Sequence, residues 1–436
     1  MAAPSTSSRL TNLGPWPGGV NNLALETSVP PHSVREAVNG DFTDDGKYVR
    51  RSGYSRVIEA TEPSNLFGYG SRGFFVEGTV LYGFEVVDGQ ETGPVALYDG
   101  LQRDARVAYA MLAPDLFVSD GQVSLRIAPD NSVTPWAVLT ASTPSLSATG
   151  GGSLQGGRYH VAMAYKNATG EEGPLSKWAS IDITDGQVLT IQPTSSIAGL
   201  RHVIYMTKPN GTELLHLATV PAGTPTINVS RQHLGRPPVT EDTTEMPPGN
   251  FALVWNGRLL TARERFVYWS EPLQYSVSKD MYNYMEFPED VTMLAANETA
   301  QGFFVGQTSR TYFVSGADPA DAQLVDTYPA GVIPGTLQMI PGARLPLEEP
   351  PTMLVPMWLA SNGVFCVGLG DGTVFPLTES RYVTKQASEG AALFDQRAGV
   401  NRFIATLRNP SENSFAVSDQ FTAEVVRNGL STRTST

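Results

Sequence analysis

The chain has 436 residues with 42 glycines, 32 prolines, one cysteine and a formal net charge of −13. That length allows two or three domains around a substantial core, and the Gly and Pro content, with no long window of helical apolar spacing, excludes a helix-rich fold. The acidic balance and the lack of any Lys/Arg cluster exclude ordinary duplex binding, and a lone Cys366 excludes an intrachain disulfide.

Residues 1–20 are rich in Ser, Thr, Pro and Gly, end in GPWPGGVN and read as an extended arm. They contain no apolar run of the signal-peptide kind. The longest apolar stretch, Thr352–Ala360, is broken by Pro356 and falls far short of the roughly 20 residues of a membrane span. A soluble chain made in a cytoplasm is therefore expected. Next, Ala37–Val57 alternates around Asp45-Gly46, a hairpin signal. Apolar runs broken at a Gly follow at Gly73–Glu85 and Asp115–Ile127, and again at Phe251–Pro272, Gly302–Gly316, Met357–Leu377 and Gly399–Arg408. With Gly78, Gly121, Gly257, Gly306 and Gly363 as turn markers, the steps are 43, 136, 49 and 57 residues. A period of about 40–50 residues is that of a β-propeller blade, and the single long step marks an inserted domain. The Gly/Ser-rich stretch 142–157 and the Pro-rich stretch 236–250 flank that insert. Between them, short alternating strands with an Asn210-Gly211 turn suit a fibronectin-III/immunoglobulin-like sandwich without its paired cysteines. The expected fold is all-β: an arm (1–20), a propeller-like domain (21–137 and 247–410), a sandwich (138–246) and a flexible tail (411–436).

The order of these parts carries a resemblance. A GGVNN arm precedes NGDF…DGKYVRRSGYSRV; the insert holds YHVAMAYKNATGEEGPLS and IYMTKPNGTELLHLAT; then come WNGRLLTARERFVYWSEP and GFFVGQTSRTYFVSG. Over roughly residues 14–408 this resembles the tail nozzle or hub proteins of short-tailed bacteriophages, also called tail tubular protein B or packaged-DNA stabilisation proteins. The best local match is Asn256-Gly257-Arg258 followed by Tyr268-Trp269-Ser270-Glu271-Pro272. The resemblance implies a virion tail component that forms a homo-oligomeric, hexameric ring below the portal and head-tail adaptor protein. Tail fibre or needle proteins are further implied partners, and the genome passes through the lumen without sequence-specific contact. A separate tip domain is not expected in a chain of this length.

Catalytic motifs are missing: there is no G-x-S-x-G elbow, no H-E-x-x-H and no phosphate loop. No catalytic, cofactor or metal residue is expected. Among the five histidines, His202 and His216 fall in strands that could oppose one another across a hairpin, and ordinary packing is the plainer reading. The pairs Asp44-Asp45, Glu171-Glu172 and Glu348-Glu349 place neighbouring carboxylates too awkwardly for a glycosidase cleft, and the first two, each followed by Gly, read as turns. Cys366 reads as a buried small hydrophobe. The set Trp255, Tyr268, Trp269 and Tyr275 reads as inter-blade core rather than a carbohydrate platform. The segment Gly316–Asp326 supplies Asp318, Asp321 and Asp326. A solvated loop is one reading of these aspartates. An acidic wall of a DNA channel, along which phosphates slide rather than stick, is the other. A receptor- or glycan-binding propeller of a tail is the competing function.

Overall fold

The computed structural model describes residues 14–38, 40–43, 45–50, 58–87, 90–279, 281–297, 301–345, 347, 349–397, 400–408, 422–427 and 430–435. Among them the only helices are three short 3₁₀ turns; everything else with regular structure is strand. The fold is all-β and propeller-like, built of successive small antiparallel sheets with a sandwich between the second and third. The chain divides into two compact units: one holds Val57–Pro288 with Asp318–Ala320, the other the remainder.

In the first unit, the opening blade is a meander of Ser64–Tyr69, Arg72–Glu77, Val80–Val87 and Val95–Asp99. The second is Ala108–Leu112, Asp115–Ser119, Ser124–Ile127 and Val133–Pro135, and the third is Phe251–Trp255, Arg258–Arg263, Phe266–Trp269 and Tyr284–Glu286. Successive side chains point to opposite faces of a sheet, so the near-continuous apolar runs of the inner strands give a blade two apolar faces, and neighbouring blades within this unit pack through them. Phe74, Val76 and Leu81 meet Leu116, Val118 and Ile127 between the first two blades. Phe117, edge-on to Trp136, meets Leu259 between the second and third. Trp255 and Trp269 are buried, and Tyr268 and Tyr275 pack on this second inter-blade core, which is where the alternation put them.

The sandwich joins a three-stranded sheet (Ser145–Leu154, Gln187–Gln192, Ile227–Val229) to a four-stranded one ordered Ala179–Ile183, Gly157–Lys166, Arg201–Met206, Leu215–Pro221. Leu154, Leu189 and Ile191 of one sheet meet Val161, Met163, Ile204 and Met206 of the other. Tyr159 donates its hydroxyl to the Gln155 carbonyl at 2.8 Å, pinning the corner that leads into its strand. The sandwich has a core of its own and falls in the same compact unit as three blades.

In the second unit, one blade is Val291–Ala295, Gly302–Gln307, Thr311–Ser315 and Gln323–Tyr328, and the next is Gln338–Pro341, Leu354–Leu359, Phe365–Gly368 and Val374–Pro376. Met293, Phe304 and Phe313 pack on Trp358 and Cys366 between them. The last sheet departs from the meander. Val400–Arg408 pairs antiparallel with Glu389–Arg397 and parallel with Leu430–Ser435, which in turn pairs with Thr422–Arg427. The expected flexible tail 411–436 thus contains two paired strands, the polar alternation of RNGLSTRTST having concealed them.

The arm also differs from its expectation, from Gly14 onward; residues 1–13 lie outside the described residues. Gly19–Val20 pairs in parallel with Ser33–Val34, and Val20 lies in a core with Phe42, Phe365 and Phe403. The Trp16 amide donates to the Gly46 carbonyl at 2.6 Å, and its ring meets Phe42 edge-on. Gly46 serves this docking twice. Its φ of +76° completes the turn between Gly40–Phe42 and Tyr48–Arg50, and a Cβ there would lie 2.5 Å from the Pro17 nitrogen. Gly78, Gly121, Gly257 and Gly363 likewise hold left-handed turn positions. Gly306 does not: it lies inside Gly302–Gln307, where a Cβ would come within 2.5 Å of Val332, and is a packing glycine rather than a turn marker.

Candidate functional site

The aspartates expected to line a channel sit on and beside the 3₁₀ turn Pro319–Asp321 and the following strand Gln323–Tyr328. Asp318 accepts the Ala320 amide at 3.0 Å and pairs at 2.6 Å with Nη2 of Arg258, whose Nη1 donates to the Ser270 carbonyl at 2.7 Å. Arg258 is buried and follows directly on the Asn256-Gly257 turn, whose φ values of +46° and +73° make the tight reversal that the Asn-Gly pair encodes. Burial works to raise the Asp318 pKa, but the Ala320 amide and the Arg258 guanidinium outweigh it and hold the carboxyl below its ordinary value. Asp326 pairs with Arg310, which immediately precedes the neighbouring strand Thr311–Ser315. Asp321 is exposed and has no ion-pair or hydrogen-bond partner on its side chain among the described residues. Asp318 belongs to one compact unit, Asp321 and Asp326 to the other. Two of the three carboxylates are therefore neutralised by arginines that sequence reasoning did not assign to them.

A second acidic cluster is built more deeply. Nε and Nη2 of Arg126 both reach Oδ2 of Asp115 across the two strands of one hairpin, and Nη1 reaches Thr169 Oγ1 at 3.0 Å and Glu171 Oε2 at 3.2 Å. The Glu171 amide and Thr169 hydroxyl both donate to Oδ1 of Asn167, so the NATGE turn is folded on itself before it meets the blade. Glu172 takes Lys166 at 3.1 Å and the Tyr205 hydroxyl at 2.6 Å. This places the two carboxylates of the Glu171-Glu172 pair in different ion pairs, which suits a turn and not a catalytic dyad. Asp45 behaves likewise: hydrogen bonds from Lys47 and Thr43 hold its pKa down at about 2. Asp44 and Glu348 lie outside the described residues. No group of three or more His, Cys, Asp or Glu suited to a metal occurs among the described residues.

The histidines separate. His202 opposes Val220, and a register slip between Ile204 and Tyr205 brings His216 opposite Tyr205, on the other face of the sheet. Cys366 is buried, and burial pushes its thiol up to about 12. A feature that sequence reasoning missed is an exposed aromatic patch on the sandwich: Trp178 lies 5.1 Å from the His160 ring, His160 Nδ1 is 2.7 Å from Ser180 Oγ, and Arg158 pairs with Asp182 beside them. Its only sequence signal was the i, i+2 alternation of Arg158 and His160. No helix among the described residues is long and apolar enough to cross a membrane.

No protein-family model matches the chain, and no curated protein matches it. Among solved structures it is similar to the extracellular domain of the hybrid two component system BT4673 from B. thetaiotaomicron, with a TM-score of 0.29 and 10% identity over 78% of this chain and 37% of that one. It is similar also to BBS1N in complex with ARL6DN (0.28, 13%, 87% and 91%) and to AztD from Citrobacter koseri (0.26, 10%, 75% and 89%). The chain thus spans little more than a third of the first of these structures. Likenesses at such scores carry no argument about what this chain does.

Proposed function

We propose that the chain is a structural, non-enzymatic subunit of a short-tailed phage tail, a nozzle or hub ring through which the genome leaves the virion. The observation that carries this reading is the order of parts in the sequence. A GGVNN arm and three hairpins come first, then a sandwich, and then Asn256-Gly257-Arg258 with Tyr268–Pro272 opens a second run of hairpins. The charge supports it. A conduit must not hold DNA, and each phosphate neutralised by Lys or Arg adds a salt-dependent increment of affinity. A chain with net charge −13, whose Arg258, Arg310 and Arg126 are already taken by carboxylates, offers few such contacts. The acidic wall is then a property of the whole surface, and of Asp321, more than of Asp318 and Asp326. The expected assembly is a homomeric hexamer that meets the portal-adaptor on one side and tail fibre or needle proteins on the other.

The test is duplex affinity with a matched genetic readout. The purified protein should show no measurable binding to duplex DNA at physiological salt, and virions lacking it should leak DNA or fail to infect. Tight binding with a steep salt slope would contradict the reading. The patch around Trp178 favours a second reading, glycan recognition by the tail, because an exposed indole flanked by paired polar groups suits a sugar face. Loss of host adsorption in Trp178→Ala virions that still retain their DNA would favour that alternative.

A further inference from the structure

One ionisable group in the sandwich core has no ion pair to explain it. His202 is fully buried, and neither ring nitrogen has a hydrogen-bond partner. Its ring is stacked on Tyr165, with centroids 5.1 Å apart and planes 28° apart. Tyr165 and Val220 are its register partners on the two flanking strands. The segment Pro193–Leu200 lies over this end of the core. Pro193, Ser195, Ile197 and Leu200 are half-buried while Thr194, Ser196, Ala198 and Gly199 are exposed, and Ile197 and Leu200 pack on the core residues. Ser195 meets both rings: its hydroxyl is 2.8 Å from the Tyr165 hydroxyl, and its backbone lies beside the imidazole.

This cover is held lightly. It has no ladder pairing, and besides the Ser195 contact its ties are Thr194 Oγ1 to the Thr143 carbonyl at 2.9 Å and the Ala222 amide to the Leu200 carbonyl at 3.2 Å. The Ser195 backbone is the one group against the ring that favours a positive charge. Tyr165 is the one titratable group on its strand that faces the imidazole, the opposing strand presents Val220, and Pro193–Leu200 contains no ionisable side chain. Burial accordingly pushes the imidazole pKa below its ordinary value, and the Ser195 backbone offsets only part of that.

We propose that Pro193–Leu200 is an acid-released cover: when His202 takes a proton, this segment leaves the end of the sandwich and exposes Tyr165 together with the apolar sides of Ile197 and Leu200. The direction follows from linkage. The open form, with a solvated imidazole of ordinary pKa near ~6.5, binds the proton more strongly than the closed form. Between that value and the lowered one of the closed form, each unit of acidification raises the open population about tenfold. Above pH 7 the cover stays shut.

Hydrogen exchange of the full chain, read by peptide mass and corrected for intrinsic rates, tests this at pH 7.5 and pH 5.0. Peptides spanning 193–206 should lose at least tenfold in protection at the lower pH, while those spanning the blade strands Arg258–Trp269 keep theirs. His202→Phe, which keeps an aromatic ring on Tyr165 without a titrating nitrogen, should abolish the pH response. Because that variant must refold a core position, Ser195→Ala gives a second arm: it should lower protection at both pH values and keep the slope. Equal protection of 193–206 at both pH values in the wild type would overturn the proposal. So would a slope that survives in His202→Phe or disappears in Ser195→Ala.

Discussion

Replacing Arg126 by Ala should be among the most damaging single changes in the unit that holds the first three blades and the sandwich. Its side chain is 18% exposed and its guanidinium serves two carboxylates, Asp115 at 10% and Glu171 at 17% side-chain exposure, with the Trp136 ring centre 5.8 Å away. Removing it leaves two poorly solvated anions without a counter-charge, and breaking a buried pair in this way costs about 3–5 kcal/mol. In a cooperative body of about 150–250 residues, 1 kcal/mol moves Tm by about 2–4 °C, so the loss should be on the order of 6–20 °C. Arg158 provides the control, since it grips Asp182 with the same two-nitrogen geometry but at 59% and 70% exposure. Solvent screens that pair, and Arg158→Ala should leave Tm essentially unchanged. Scanning calorimetry of the two variants beside wild type makes the comparison. Replacing Asp115 by Asn in the Arg126→Ala background should recover part of the loss, because it removes one of the orphaned charges. Equal melting of Arg126→Ala and Arg158→Ala would refute the argument that burial decides the worth of these ion pairs.

Gly306→Ala should destabilise by about 1–3 kcal/mol in urea titrations, because its Cβ would meet Val332 and Met293, whereas Gly223→Ala faces open space and should be neutral. Cys366, buried with its thiol pushed up to about 12, should resist a thiol reagent in the native protein and react at the rate of unfolding; rapid native labelling would contradict its place in the core. Trp16→Ala should cost about 1–3 kcal/mol through lost packing on Phe42 and the surrounding core, measured by denaturant unfolding; no change would contradict the docking of this segment on that core. The Asp318 carboxyl titrates below its ordinary value in the folded state, so its contribution is complete above about pH 4 and is lost as pH falls through that lowered value. Asp318→Asn should remove that part of the acid slope in a pH series of melting temperatures and leave the rest.

The features legible in the sequence were those set by neighbours along the chain. Asn256-Gly257 and Asp45-Gly46 announced their turns through residues that tolerate positive φ, and alternation buried Trp255 and Trp269 and set Tyr268 on the inter-blade core. Gly306 misled because a glycine that yields to a neighbouring strand looks, in one dimension, like a glycine that turns. Arg126 was illegible because its partners lie 11 and 45 residues away on a blade and on a sandwich loop, and no local pattern joins them. Asp318 found Arg258 across 60 residues for the same reason. That His202 and His216 do not oppose one another follows from a one-residue slip between Ile204 and Tyr205, which turns His216 to the opposite face, and a bulge leaves no mark in the alternation before it. The strand Leu430–Ser435 went unseen because nothing in LSTRTS separates a buried side from a wet one.

Projection images of the purified full-length protein at assembly concentration test the central claim most directly. The account predicts closed homomeric rings, six subunits around an opening that admits a duplex. A population of monomers at every concentration, with or without the head-tail adaptor, would contradict it.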